Sequence, residues 1–144
     1  MLKIEIIPLD ERQIVAGERL IRKIEEVGGE VPGALWIHNP DIHEWRLFLA
    51  MPITDAQGPA AAMELVSQAI ALLRAEGEHS LTRQIVSAVS VLHDAIWQFA
   101  SAVGTGMELQ RLRIQGMRIN GHVIEDVLIY RLHKASLKLP EQAA

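Results

Sequence analysis

"LQRLRIQGMRINGHVIEDVLIYRL" (109–132) consists of two apolar-rich runs joined by Asn120-Gly121. Asn and Gly tolerate the positive φ that a two-residue hairpin turn demands, which makes this dipeptide a strong hairpin signal. In the second run Val123, Val127 and Ile129 alternate with Ile124, Leu128 and Tyr130, so both faces are apolar. A strand of that kind belongs inside a sheet, covered on both sides. In the first run Gly116 marks a candidate bulge. A bulge there would bring Arg111, Arg113 and Arg118 onto one face, whereas a regular ladder separates Arg118 from the other two. Glu125 and Asp126 are adjacent in a strand and project to opposite faces, so they cannot form a general acid/base pair. If Asp126 lies on a buried face it needs a partner, and an arginine of the neighbouring strand is the simplest one.

Upstream, "SLTRQIVSAVSVLHDAIWQFASAV" (80–103) admits two readings. Leu81, Ile85, Val89, Leu92, Ile96, Phe99 and Val103 step as one long helix would. The β-branched run "IVSAVSV" favours instead a strand at 85–91, then a helix at 93–103 ending at Gly104. His93 and Asp94 sit at the helix start, where the macrodipole favours the carboxylate and His93 serves as a cap or lies in solvent. "ITDAQGPAAAMELVSQAIALLRAEG" (53–77) reads as a helix with Pro59 in its first turn and Gly77 past its end. Its apolar stripe is Ala62, Val66, Ala69, Ile70 and Leu73. Residues 11–27 form another helix, capped by Asp10 and stopped by Gly28-Gly29. "LKIEII" (2–7) is a short strand stopped by Pro8.

"GALWIHNPDIHEWRLFLAMP" (33–52) is a second hairpin with an Asn-Pro-Asp turn. A loop of Asn39–Ile42 pairs His38 with His43 and Trp36 with Trp45, all four on one face, leaving Leu35, Ile37, Arg46 and Phe48 on the other.

The element order is strand, helix, hairpin, helix, strand, helix, hairpin. This predicts an α+β fold, a single mainly antiparallel sheet with two or three helices packed against it. The first six elements follow the β-α-β-β-α-β order of a ferredoxin-like unit, here followed by a helix and a C-terminal hairpin. One globular domain over 1–138 is expected, with 139–144 a frayed tail.

Bulk composition narrows the chemistry. The 144 residues are 49% hydrophobic and contain no cysteine, which removes disulfides, thiolate metal sites and a cysteine nucleophile. No apolar run approaches the ~20 residues of a membrane span, and the early acidic residues do not suit a signal peptide. A cytoplasmic, soluble protein is expected, with no cofactor. The net charge is −4, yet residues 109–138 hold six basic side chains against two acidic ones. That local excess is the electrostatic hint of an anionic partner.

Two constellations remain. His38, Asp41 and His43 are metal-ligand types gathered at one hairpin tip, where a metal would need three or four ligands converging at ~2 Å. Arg111, Arg113 and Arg118 form a basic strand, but only Tyr130 accompanies them as a stacking aromatic. Phosphate-binding loops, H-E-x-x-H and G-x-S-x-G are absent. The ranking is therefore a non-enzymatic module that binds a protein partner or itself, as a small homo-oligomer, with Trp36 and Trp45 offering a contact surface. A metal-dependent hydrolase or nuclease built on residues 38–44 comes second, and nucleic-acid binding through the arginines third.

Overall fold

The computed structural model describes residues 8–39, 44–119 and 122–137. The expected strand at 2–7, Pro40–His43 of the first hairpin tip, the Asn120-Gly121 turn and the tail all lie outside them. In chain order the elements are α1 (Glu11–Glu26), β1 (Gly33–Asn39), β2 (Glu44–Ala50), α2 (Pro52–Gln57), α3 (Pro59–Ala75), β3 (Val86–Val89), α4 (Asp94–Ala102), β4 (Leu112–Ile119) and β5 (His122–Leu132). The five strands form one sheet in the order β3-β2-β1-β5-β4.

Among the described residues the fold is α+β, with one sheet and four helices. The sheet is mixed rather than mainly antiparallel, because β2 and β3 run parallel. A parallel pair needs a crossover long enough to return the chain to the starting edge, and the α2–α3 segment supplies it. The ferredoxin-like start is not established, since its first strand falls at 2–7. Among the described residues no helix is long and apolar enough to cross a membrane.

Local chemistry explains most boundaries. The Asp10 side chain accepts from the Arg12 N–H and caps α1, and Gly28 ends the helix at φ +95°. The helix expected over 53–77 is broken in two at Gly58, also at φ +95°. A residue in that region cannot continue a right-handed helix, and Pro59, lacking an N–H, suits the first turn of the next one. Around residues 80–103 the β-branched run decides: a short 3-10 turn leads into β3, and α4 starts at Asp94 with the His93 ring accepting from the Ala95 N–H.

The core has two layers, one on each face of the sheet. On one face Ala34, Trp36, Leu47, Leu49, Leu128 and Tyr130 pack against α1 and α3. On the other, Leu35, Ala50, Val127, Ile129 and Leu132 pack against Ile96, Phe99 and Ala100 of α4. β5 is thus apolar on both sides, as its sequence requires. β1 pairs with β5 out of step between Ala34 and Leu35, so that Tyr130 is skipped. The extra residue of such a bulge re-aims side chains. Tyr130 and Arg131, though consecutive, both reach α1: the tyrosine hydroxyl donates to the Ile14 carbonyl, and Arg131 donates to Glu25 and to the Val31 carbonyl.

Candidate functional site

The register of the first hairpin differs from the expected one by two residues. His38 stands opposite Trp45, Trp36 opposite Leu47, and Asn39–Glu44 is the last pair, so the loop is residues 40–43 instead of Asn39–Ile42. A shift of two preserves the face of every side chain, whereas a shift of one would invert it. Trp36, His38 and Trp45 therefore do share a face, but the two tryptophans are not paired. Asp41 and His43 lie outside the described residues.

On that face, toward the hairpin tips, four side chains meet. Ile37, which precedes His38 on β1, pairs with Val127, which follows Asp126 on β5. The His38 ring lies edge-on to Trp45, with centroids 5.3 Å apart. Arg113, on β4, binds Asp126 through both its Nε and Nη2 groups, and Gln115 Nε2 donates to the same carboxylate at 3.4 Å. The Arg113 guanidinium also lies over the Trp45 ring, 5.2 Å from its centroid. Trp45 is 7% exposed and His38 1%, so this cluster buries a histidine at the end of a sheet.

The electrostatics are those of a closed pair. Asp126 is 2% exposed, and its bonds raise the Arg113 guanidinium above its ordinary value. Both carboxylate oxygens of Asp126 are engaged, Oδ1 by the Arg113 Nε and Oδ2 by its Nη2 and by Gln115. Arg111 is committed in the same way: its Nη1 and Nε donate at 2.6 Å to Glu11 and Glu18 of α1, which raise its guanidinium too. Of the three arginines expected to form a basic strand, only Arg118 is exposed without such a partner among the described residues. The pairing keeps one offset on both sides of Gly116, from Ile114–Val127 to Arg118–Val123, so no residue is inserted there.

His38 is the exception. Neither Nδ1 nor Nε2 has a hydrogen-bond partner among the described residues. Among those residues, no group of three His, Asp or Glu side chains is placed to hold a metal. Trp36 is fully buried under α1, and its indole N–H donates to the Tyr130 hydroxyl at 2.7 Å. Burial pushes the pKa of that hydroxyl well above its ordinary value, so it remains a neutral structural link.

The opposite face is built differently. The register lays out two rows across the sheet, Phe48–Leu35–Ile129–Leu112 and Arg46–Ile37–Val127–Ile114. Leu35, Val127 and Ile129 are buried, while Phe48, Ile37, Leu112 and Ile114 are only half-buried, as is Ile124. The nine residues of α4 cannot cover what α1 and α3, with sixteen and seventeen, cover on the other side. From the sequence Leu35, Ile37 and Phe48 share a face, whereas alternation groups Ile124 with Leu128 and Tyr130; the structure packs Ile124 against the α4-side cluster instead. The shortness of the apolar run at 93–103 was the available signal of incomplete cover. Neither a protein-family model, nor a curated protein, nor a solved structure matches this chain.

Proposed function

We propose that the protein is a non-enzymatic cytoplasmic binding module that works through protein contacts and self-associates, and that the face beside α4 is the surface it uses. The supporting observation is the unequal covering of the sheet. Ile37, Phe48, Leu112, Ile114 and Ile124 leave a half-buried apolar band across four strands, and contiguous apolar surface of this kind marks association sites. Two copies meeting on it would supply the cover that α4 is too short to give. Light scattering across a concentration series should then find a dimer. Ile37→Asp and Ile114→Asp should each weaken it by at least about tenfold, equivalent to about 1.4 kcal/mol, while keeping the far-ultraviolet spectrum. A wild-type protein that stays monomeric at the highest concentration reached would refute the reading.

One observation favours a second reading, a metal-dependent hydrolase or nuclease using His38, Asp41 and His43. A buried imidazole with neither nitrogen partnered among the described residues is costly, and coordination is one way to satisfy it. Purified protein should then carry metal by elemental analysis and melt higher in zinc or manganese. No metal and unchanged melting would remove this option.

A further inference from the structure

The stretch between α4 and β4 is tied to the end of β5 at two points. Thr105 donates its N–H to the Leu132 carbonyl at 2.9 Å and accepts the Leu132 N–H on its Oγ1 at 2.7 Å. Gln110 donates its N–H to the Tyr130 carbonyl at 2.8 Å. Between these ties stands Met107, whose Sδ accepts from the hydroxyl of Ser136 at 3.8 Å. Ser136 closes the 3-10 turn Lys134–Ser136 that follows β5. We propose that Met107 is a reversible oxidation site for peroxides, and that its sulfoxide is sensed by Ser136 and, through it, by His133.

Access is the first support. Peroxide must reach the sulfur, so oxidation follows exposure. Met107 is 46% exposed, whereas Met51 is fully buried and Met63 packs against the same core as Met51. The chain contains no cysteine, so no thiolate of its own competes for the oxidant. In the reaction the sulfur gives up two electrons and gains one peroxide oxygen. The O–O bond breaks, and the other oxygen leaves as water with both hydrogens. Two thiols of a sulfoxide reductase reverse the step, ending as a disulfide and releasing water.

The hydroxyl is the second. Ser136 Oγ also lies 2.6 Å from the Nδ1 of His133. A hydroxyl carries a single proton. While that proton points at the sulfur, the short contact to His133 is a hydrogen bond only if Nδ1 is the donor. The relay then runs from His133 Nδ1–H to Ser136 Oγ–H to Met107 Sδ. A thioether is a weak acceptor, so it holds the serine proton loosely and leaves it free to turn to a bare Nδ1 instead. A sulfoxide oxygen is a strong acceptor. Oxidation therefore commits the serine proton to residue 107 and fixes His133 in its Nδ1–H form. It also tightens the link to the turn that precedes Leu137, which is buried in the α4-side cluster.

Limited hydrogen peroxide on the folded full chain, followed by peptide mass spectrometry, tests the site. Met107 should oxidise at least about tenfold faster than Met51 or Met63. Nitrogen-15 spectra of the neutral imidazoles should then show His133 moving toward its Nδ1–H tautomer. A methionine sulfoxide reductase with a dithiol should restore the starting spectrum. In Met107→Leu peroxide should leave His133 unmoved, which separates this site from oxidation elsewhere in the chain. In Ser136→Ala the sulfur should oxidise within about twofold of its wild-type rate, because its exposure is kept, while His133 no longer responds. The wild-type and Met107→Leu spectra remain decisive even if Ser136→Ala fails to fold. Met107 oxidising no faster than Met51, a His133 tautomer indifferent to oxidation, or a response that survives in Met107→Leu or Ser136→Ala would each overturn the proposal.

Discussion

Gly17 lies inside α1, where alanine is ordinarily favoured by about 1 kcal/mol. Here the substitution should destabilise. A Cβ at this position would sit 2.3 Å from the Tyr130 hydroxyl oxygen, 2.9 Å from Cζ and 3.0 Å from Cε2. The ring cannot yield cheaply, because its hydroxyl accepts from Trp36 at 2.7 Å and donates to the Ile14 carbonyl at 2.6 Å. Displacing it forfeits two buried hydrogen bonds worth about 1 kcal/mol each, and more if the indole N–H is left without an acceptor. Overpacking adds about 1–3 kcal/mol. After subtracting the propensity gain, Gly17→Ala should cost about 2–4 kcal/mol, a fall in melting temperature on the order of 10 °C for a chain of this size. In a Tyr130→Phe background the nearest obstacle is removed, and the penalty for Gly17→Ala should shrink by at least about 1 kcal/mol. Urea titrations followed by tryptophan fluorescence on the four proteins of this cycle give the coupling directly. If Gly17→Ala is as stable as the parent, or if the two substitutions simply add, the tyrosine does not hold α1 by this contact.

The Arg113–Asp126 pair should respond asymmetrically. Arg113→Met strands a carboxylate that is 2% exposed and should cost about 3 kcal/mol, whereas Asp126→Asn leaves a guanidinium already within reach of water and should cost about 1 kcal/mol. Equal melting of the two variants would show that the carboxylate is not the buried partner. The ties between α1 and α3 should fail in acid. Glu78, held low chiefly by the Ser80 N–H, and Glu76, held low chiefly by Lys23, stabilise the fold above the ordinary carboxylate range and lose that contribution as pH falls through their depressed values. Melting temperature should therefore drop as pH falls below the ordinary carboxylate range, and the drop should be smaller in Glu78→Gln; an unchanged slope would contradict it.

Much of this arrangement could be read from local chemistry. Asn120-Gly121 marked the hairpin, β-branching separated β3 from α4, and the burial cost of Asp126 called for the arginine that Arg113 turns out to be. What escaped was set by distant partners. The register of the first hairpin moved by two residues, a shift that alternation cannot detect because it leaves the buried face unchanged. The bulge at Tyr130 exists because β1 pairs out of step with a strand remote in sequence, and nothing in "VLIYRL" announces it. The parallel β2–β3 contact likewise depends on where the α3 crossover returns. Gly58 and Gly17 were visible signals: one sits before a proline inside an apparent helix, the other where only close approach justifies a glycine.

The pairing of β1 with β5 also has a consequence for biosynthesis. β1 gains its second neighbour only when residues 122–132 are available, about ninety residues after its own synthesis. At ordinary translation rates the nascent hairpin waits on the order of 5–20 s with its β1 edge open. During that interval "GALWIHN" (33–39) carries Leu35, Trp36 and Ile37 on an unpaired edge, and the finished sheet shelters this strand between two neighbours. A nascent chain stalled between α4 and β5 would therefore be the form of this protein most prone to aggregate and most in need of a chaperone.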